Sequence, residues 1–438
     1  MKLVKALSAV AFAVAATGAA QAAISTNPNV VLSPICGNNA AISAEFISID
    51  GASRIACELS EDIVLQDGDV LASSYFGFDV VWVLKDRSIV KIGDGDRLLA
   101  AGEVPASVNV TIEAGVQFRS EDASALVVTR GSTLDIQGTA EEPVVMASKD
   151  DNFTGIGEWG GLVYQGFGLT NFCGLDASVA CNQEAEGVSF TDQTTGEEFV
   201  SYYGGYNKED NSGTVSYLII AESGFDVAGS LDPSRSGNEI NGFTLVGVGS
   251  GTTISNVQIV NGLDDGIEFF GGDVSVSDIY VAGISDDSYD YDFAYNGTVT
   301  NGVAIQFGER LNVLNEVLAD HVVEASNNDD NELALPLSNP TFNNFYFQSS
   351  GTDEALKFKV GAGGQFFLAD DVVLGTDILG SDKGCIEITN EDVDRVASGE
   401  LLVVSNIAEC QVGDQATLAP VFPAPADFSW TLAEPLYR

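Results

Sequence analysis

The sequence predicts an all-β fold, a parallel β-helix in which each coil takes about 22 residues. The first observation is an internal repeat: "ISNVQIVNGLDDGIEF", beginning at Ile254, aligns without a gap with "VSDIYVAGISDDSYDY", beginning at Val276, at a spacing of 22. The second is that short runs rich in Val, Ile and aromatic residues alternate with period two and end at Gly, Asn or Asp, as strands joined by turns do. Coils made only of strands stack about 4.8 Å apart into a solenoid, whereas a propeller or sandwich predicts hairpins and a longer repeat or none.

Three regions of the mature chain follow from this pattern. Residues 63–380 carry the strand pattern and form the predicted β-helix, which polar, turn-rich insertions interrupt at 168–213 and 326–340. The first insertion is predicted to be a long loop with "YYGGYN", from Tyr202, as an exposed aromatic stretch; covering the core and binding a ligand are equal alternatives for it. Residues 23–62 and 381–438 are predicted to cap the open ends of the solenoid, because exposed strand edges promote aggregation.

Residues 1–22 predict export. They combine Lys2 and Lys5, an apolar run and small residues ending in Ala20-Gln21-Ala22, which is the pattern of a cleavable signal peptide. No later apolar run reaches the roughly 18 residues that cross a bilayer. We therefore expect a secreted protein, placed in the medium, on the cell surface or in the periplasm, without a transmembrane segment.

Six cysteines, an even number in an exported chain, predict three disulfides rather than a metal site. Pairing of sequence neighbours closes three short loops, but it is one of fifteen connectivities. The neighbour pairs are Cys36 with Cys57, Cys173 with Cys181, and Cys385 with Cys410. Because the sequence has no CxxC and a single histidine, it argues against zinc and against a Ser-His-Asp triad, and His321 is interpreted as a structural or surface residue.

The charge balance excludes some classes of partner. The chain has 18 Lys and Arg against 64 Asp and Glu, a formal net charge of −46. Such a protein repels nucleic acid and anionic lipid, and small cations are the partners that it attracts. Solubility in a salty medium explains the same acidity without a specific cation site.

Several motifs resemble those of a known group of proteins. They are "GIGEWGGLVYQG" from Gly155, "NKEDNSGTVSYLIIAESG" from Asn207, "NGLDDGIEFFGG" from Asn261 and "ISDDSYDYDF" from Ile284. Together with residues 108–148, they resemble a large group of uncharacterised exported bacterial right-handed β-helix proteins, hypothetical or lipoprotein-like, over about residues 61–375. The resemblance implies a right-handed β-helix and export, and the group has no agreed reaction. Its lipid-anchored members carry an acceptor Cys that is absent from the predicted cleavage site here.

Strand parity predicts which side chains of the repeat face outward, because burying carboxylates would cost several kcal/mol each. The side chains predicted to face inward are Ile267, Phe269, Tyr289, Tyr291 and Phe293. The fragments "HVVEAS" and "DEALKFKVG" continue the register. The outward side chains on successive coils are then Glu268, Asp290, Glu324 and Lys357, with Lys359 also outward.

Stacked carboxylates of this kind need compensation. Like charges about 4.8 Å apart repel by roughly 0.9 kcal/mol in water and about 3.5 kcal/mol at an effective dielectric of 20. Calcium supplies that compensation, because it accepts six to eight hard oxygens in flexible geometry. The candidate calcium ligands are the turn acids Asp264, Asp265, Asp286 and Asp287. The alternative is that these are solvated turn aspartates, since the sequence has no EF-hand loop or calcium-binding nonapeptide.

Two function hypotheses follow, neither with an organic cofactor. The preferred one is a non-enzymatic surface or extracellular binding or structural module, stabilised by calcium, that presents one face to a glycan or a cell-surface protein. The alternative is a polysaccharide lyase or glycoside hydrolase, with Glu268, Asp290 and Glu324 as candidate carboxylates and Lys357 as the base of a lyase. An ordinary ion pair between Lys357 and Glu324 competes with that catalytic role. The sequence does not fix an oligomeric state.

Overall fold

The computed structural model describes residues 23–149, 153–191, 196, 198–307, 319–350, 353–375, 384–389, 392–413 and 428–432. The predicted signal peptide, residues 1–22, and much of the predicted C-terminal cap lie outside these ranges. Within them, regular structure is mostly short β-strand, as the period-two pattern predicts. No described helix is long and apolar enough to cross a membrane.

The strands and helices of the described residues have the following bounds. In chain order the strands are β1 (Ile24–Ser25), β2 (Ala41–Ile49), β3 (Ala52–Leu59), β4 (Ile63–Val64), β5 (Asp69–Leu71), β6 (Ser74–Tyr75), β7 (Phe78–Leu84), β8 (Ile89–Ile92), β9 (Asn109–Glu113), β10 (Gln117–Ser120), β11 (Ala125–Val128), β12 (Thr133–Gln137), β13 (Val144–Ser148), β14 (Leu162–Gln165), β15 (Gln183–Glu184), β16 (Phe190–Thr191), β17 (Glu198–Phe199), β18 (Tyr202–Tyr203), β19 (Thr214–Ala221), β20 (Phe243–Val246), β21 (Thr253–Val260), β22 (Ile267–Phe270), β23 (Ser275–Ala282), β24 (Tyr289–Asp292), β25 (Thr298–Ile305), β26 (Val323–Ala325), β27 (Thr341–Gln348), β28 (Leu356–Phe358), β29 (Gly364–Leu368), β30 (Ile386–Ile388) and β31 (Leu401–Val404). The helices are α1 (Val227–Leu231) and α2 (Val393–Ser398), with 3₁₀ turns at Pro34–Cys36, Pro233–Arg235 and Ala408–Cys410.

Two long sheets form the main walls of a parallel β-helix. Sheet A has the order β2-β3-β7-β10-β13-β19-β21-β23-β25-β27-β29-β31, and all of its neighbours along this order are parallel except β2 and β3. Sheet B has the order β8-β11-β14-β20-β22-β24-β26-β28-β30 and is parallel throughout. A short row, β5-β9-β12, pairs onto β19 beside sheet A. Successive coils thus add one strand to each sheet, about 4.8 Å further along the axis.

The register of the repeat is the one that the gapless alignment predicts. In sheet B, Ile267 of β22 lies opposite Tyr289 of β24, and in sheet A, β21 and β23 pair at the same offset. Other neighbours are further apart in sequence, because insertions leave the coils at the turns; Thr298 of β25, for example, lies opposite Thr341 of β27. The repeat therefore marks neighbouring coils that carry no insertion.

Inward side chains of both sheets fill the interior. Ile267, Phe269, Tyr289 and Tyr291 are all fully buried, and the rings of Phe269 and Tyr295 stack with centroids 4.2 Å apart. Each such side chain contributes roughly 1.5–3 kcal/mol by burial. The stacked interior thus stabilises the packing of one coil on the next, and these four residues lie inward as strand parity predicts.

Phe293 departs from the predicted inward placement. Strand β24 ends at Asp292, and Phe293 has a φ of 44°, so that the chain turns before the alternation can continue. The ring of Phe293 instead stacks against that of Phe270 on the outer face of sheet B, with centroids 6.2 Å apart. The prediction is wrong because parity holds only within a strand.

The three disulfides join sequence neighbours. Their pairs are Cys36–Cys57, Cys173–Cys181 and Cys385–Cys410, and no described cysteine is free. The first pair ties the 3₁₀ turn Pro34–Cys36 to β3, at the end of sheet A. The third ties the start of β30 to the turn after β31, at the other end. Both are placed where terminal caps are predicted.

The first insertion lies over the outer face of sheet B. It contains two short antiparallel pairs, β15 with β18 and β16 with β17. The prediction of an exposed aromatic stretch is wrong at Tyr203, which is 1% exposed and packs with the outer side of sheet B. The two insertions also meet, since Asn171 Nδ2 donates to Asn327 Oδ1 at 2.9 Å and Asn328 Nδ2 donates to Asn171 Oδ1 at 3.0 Å.

Candidate functional site

The predicted outward residues form one column on sheet B. Strand pairing places Glu268 opposite Asp290, Asp290 opposite Glu324, and Glu324 opposite Lys357, which is the expected order. We call the complete ladder the outward column. Its members, from β8 to β30, are Lys91, Val127, Val163, Thr244, Glu268, Asp290, Glu324, Lys357 and Glu387.

A second ladder runs along the turns that precede β22, β24 and β26. Asp265 Oδ1 accepts a hydrogen bond from the backbone N–H of Asp287 at 2.9 Å, and Asp287 Oδ1 accepts one from the backbone N–H of His321 at 2.6 Å. These three side chains are 6%, 4% and 2% exposed, respectively. The alternative of fully solvated turn aspartates is therefore wrong for Asp265 and Asp287, because each binds the backbone of the next coil.

The two ladders merge into a single group, which we call the carboxylate network. Among the described residues, five sets of three side chains have ligand atoms within 4.8 Å of one another. The sets are Asp264, Asp265 and Asp286; Asp265, Glu268 and Asp290; Asp287, Asp290 and Glu324; Asp287, Asp320 and His321; and His321, Glu354 and Glu387. Since Asp265, Asp287 and Asp290 are shared between sets, the turn acids and the strand acids adjoin one another, although sequence analysis treated them as separate candidates.

Burial and mutual repulsion oppose ionisation in this network. Burial, reinforced by Asp290 and Glu186, raises the pKa of Glu268 well above its ordinary value. Burial likewise raises the pKa of Asp265, with Asp264 and Asp287 adding to the effect. With no cation bound, several of these carboxyls therefore retain protons at pH values at which ordinary acids are ionised.

The pKa of Asp287 and that of Asp290 are also raised well above the usual range, by burial first and then by neighbouring acids. Asp286 keeps an exposed side chain, yet desolvation by the surrounding structure, followed by Asp320 and Glu324, raises its pKa to about 6. The repulsion thus extends across both ladders.

Two lysines compensate the network at its C-terminal end. Lys357 Nζ lies 2.9 Å from Glu324 Oε1, and Lys359 Nζ contacts Glu324 Oε2. Burial alone would raise the pKa of Glu324, but hydrogen bonds from Lys359 and Lys357 outweigh it and lower that pKa. Although burial opposes the charge of Lys357, Glu324 raises the pKa of this lysine. The ion pair predicted for Lys357 is confirmed, and the lysine is protonated at neutral pH.

Several residues of the site were not among the predicted site residues. His321 is buried, with Nδ1 3.0 Å from Asp287 Oδ1. A signal for it existed: the register of "HVVEAS", extended two positions back from Val323, places His321 at the position of Asp287. Asn241 and Thr244 lie beside Glu268, Asn241 through a hydrogen bond from its Nδ2 and Thr244 as its strand partner. The Oδ1 atom of Asn241 and the Oγ1 atom of Thr244 are buried and have no hydrogen-bond partner among the residues that the structure describes.

The donor set of the network determines which ions suit it. Carboxylate oxygens predominate, with an amide oxygen and a hydroxyl at the β20 side and a single imidazole at the β26 side. Hard divalent cations such as calcium prefer oxygen donors, whereas zinc prefers sulfur and imidazole. Glu268, Asp265 and Asp290, together with Asn241 and Thr244, could hold such a cation.

Comparison with known proteins gives a family. Among solved structures, the crystal structure of Escherichia coli YbhC matches with a TM-score of 0.37 and 10% sequence identity, over 88% of this chain and 86% of that chain. No curated protein gives a significant match. The family model described as a pectate-lyase-like β-helix domain matches residues 91–419, which include the whole carboxylate network. Since that match spans well over half of the sequence, the chain belongs to the family of pectate-lyase-like β-helix domains.

Proposed function

We propose that this protein is an exported, right-handed β-helix module that binds calcium in its carboxylate network and presents the same face to a glycan. The single observation that carries the proposal is the set formed by Asp265, Glu268 and Asp290. Their carboxylate oxygens lie within 4.8 Å of one another, and the adjoining residues Asn241 and Thr244 each carry a buried oxygen without a partner among the described residues. A cation bound among three carboxylates so close together would favour the ionisation of all three.

The proposed cation lies at the β22 and β24 end of the network. At the other end, Glu324 already has Lys357 and Lys359 as partners, so its charge needs no metal. Asp264 and Asp286, both predicted as ligands, border the central set through Asp265. Asp287 is engaged with His321, and we assign it to the supporting shell rather than to the cation itself.

The glycan part of the proposal rests on the position of the network. Asp290 and Glu324 keep partial contact with solvent on the outer face of sheet B. A calcium ion held there neutralises the face locally and offers open coordination positions to sugar hydroxyls or carboxylates. The family, described as pectate-lyase-like, supports carbohydrate as the ligand class. We also propose that the protein is secreted and that it is related to the exported proteins that share its motifs.

Calorimetry with calcium tests the cation claim. We expect saturable binding to chelator-treated protein and a rise in Tm with calcium. Both responses should be lost in Glu268→Gln and Asp290→Asn. The matched control is Glu113→Gln, which removes one negative charge from an exposed position on β9 that belongs to none of the five carboxylate sets. Equal melting temperatures with excess calcium and with chelator would contradict the proposal, as would calcium binding that survives both site variants.

A glycoside hydrolase is the second candidate, favoured by the raised pKa of Glu268 beside Asp290. A protonated carboxyl next to an ionisable one is the pair that glycoside hydrolysis uses. The oxygen separation, within 4.8 Å, is closer to the roughly 5 Å of retaining enzymes than to the roughly 6.5–9.5 Å of inverting ones. A lyase is less well supported, because its candidate base, Lys357, is protonated by its ion pair with Glu324.

A product screen separates binder from enzyme. Neutral and acidic polysaccharides are incubated with the wild type and with Glu268→Gln, and reducing ends and unsaturated products are measured. The binding module predicts no product with either protein. Reducing ends that are formed by the wild type and not by Glu268→Gln would establish the hydrolase instead. Unsaturated products that are formed by the wild type and not by Lys357→Ala would support the lyase.

A further inference from the structure

The first insertion closes the outer face of sheet B at one end. Its residues Ala185, Val188, Phe190 and Tyr203 form one buried apolar cluster with outward side chains of sheet B and with α1. The members contributed by sheet B include Val127, Val163, Val246 and Phe270. The cover therefore extends from β11 to β22, where the carboxylate network begins. A chain molecule lying on the network meets this wall and cannot pass beyond it.

A small cavity lies between the first insertion and sheet B at this boundary. It has a volume of about 220 Å³ and is lined by Glu186, Tyr203, Phe270, Phe293, Arg235 and Asn238, among others. This is smaller than the roughly 300–1,000 Å³ of pockets that take drug-sized ligands, so the cavity suits one ring or one chain end. The stacked rings of Phe270 and Phe293 supply an apolar side of the kind on which sugar rings pack.

Two polar atoms without a hydrogen-bond partner among the described residues lie here, one on the lining residue Tyr203 and one on Asp292, which adjoins the lining residues Phe270 and Phe293. Tyr203 is 1% exposed, and its hydroxyl has no hydrogen-bond partner among the described residues. Asp292, the strand partner of Phe270 and therefore outward beside it, has a buried Oδ1 with no hydrogen-bond partner in the described part of the chain. Buried polar groups are normally satisfied, so a hydroxyl and a carboxylate oxygen left open beside one cavity point to a ligand that satisfies both.

The charges around the cavity select the ligand. Glu186 lines it, Asp292 borders it, and the one lining cation, Arg235, already lies 3.4 Å from Glu184. A sugar carboxylate would face these acids without a free cation of the described lining to receive it, whereas sugar hydroxyls or an ammonium group would find acceptors.

From this geometry we infer that the cavity is a chain-end subsite, which takes the terminal sugar of a neutral or amino-bearing glycan while the following units lie along the carboxylate network. The inference rests on the proposed function, because it requires a glycan on the network. It adds that recognition starts from an end of the glycan and that the terminal unit carries no carboxylate.

Binding to matched oligosaccharides tests the inference. The probes are tetramers of glucose, glucosamine and galacturonate, each free and with both ends blocked by a bulky group, titrated by calorimetry in calcium. We expect a free glucose or glucosamine tetramer to bind, blocking of its ends to weaken it at least about tenfold, and Tyr203→Phe to weaken the free form several-fold. Tyr206→Phe, on the same insertion but outside this cavity's lining, is the matched control.

The outcomes separate the subsite from the proposed function. Equal binding of free and blocked oligomers would overturn the chain-end subsite and leave glycan binding intact. Preference for galacturonate would overturn the ligand class. Calcium binding with no affinity for any tetramer would overturn both the subsite and the glycan proposal. Because Tyr203→Phe removes only an unpartnered hydroxyl, its Tm should equal or exceed that of the wild type, which excludes misfolding as the cause of weaker binding.

Discussion

The two halves of the outer face of sheet B share one backbone geometry and differ in what the outward column carries. From β11 to β20 the column is Val127, Val163 and Thr244, and the first insertion covers the two valines. From β22 to β26 it is Glu268, Asp290 and Glu324, and part of it meets solvent. A parallel ladder places equivalent side chains about 4.8 Å apart, so similar side chains on successive coils become close neighbours. A column of valines needs a protein cover, and a column of carboxylates needs cations or protons.

Moving a carboxylate into the covered half should have the largest effect. Val163 is fully buried under the insertion. Val163→Asp would leave a buried charge without a partner, which costs roughly 3–5 kcal/mol. Urea unfolding of purified protein measures the change in the free energy of unfolding. Val163→Ala separates the loss of apolar contacts from the charge, and an Asp variant no less stable than the Ala variant would show that the cover does not exclude water.

The open half should respond to pH in a way that calcium reverses. The folded state raises the pKa of the network carboxyls, that of Asp286 from 3.8 to about 6, so the folded state binds their protons more tightly than the unfolded state does. Stability contributed by these protons is present at low pH and is lost as pH rises through about 4 to 6 and beyond. We expect the Tm in chelator to fall over this window.

With saturating calcium the same fall in Tm should be smaller or absent, because the cation favours the ionised carboxylates. Scanning calorimetry at several pH values, with calcium and with chelator, measures the difference. Double substitution Glu268→Gln and Asp290→Asn should flatten the chelator curve. Parallel curves with and without calcium would contradict a cation in the network.

The residues of sheet B differ in how far the sequence could predict their positions. The order Glu268, Asp290, Glu324 and Lys357 follows from a gapless repeat and strand parity, which depend only on local periodicity. The inward placement of Phe293 failed because the end of a strand is set by a backbone turn rather than by alternation. Residues that reach sheet B from outside its own strands, such as Tyr203 and Asn241, have no periodic signal, because tertiary packing alone brings them there.

The smallest expected effect on stability concerns the end of the network at which Lys357 and Lys359 pair with Glu324. Lys357 and Glu324 form a partly exposed pair, with side chains 26% and 14% exposed, so Lys357→Gln should cost at most about 1 kcal/mol of stability. The informative result is a change in calcium binding. With Lys357 removed, Lys359 alone compensates Glu324, the pKa of Glu324 rises, and the carboxylate becomes available to a cation through the set that it forms with Asp287 and Asp290.

Calorimetry on Lys357→Gln should therefore show tighter calcium binding, or additional calcium bound, at neutral pH. Lys208→Gln is a suitable control, since Lys208 is an exposed cation 3.5 Å from Asp273 and makes no ion pair with the network. The same change of charge there should leave calcium binding as it is in the wild type. Weaker calcium binding by Lys357→Gln would contradict this expectation. It would mean that Lys357 supports calcium binding through Glu324 and that the cation site of the native protein extends to β26 and β28.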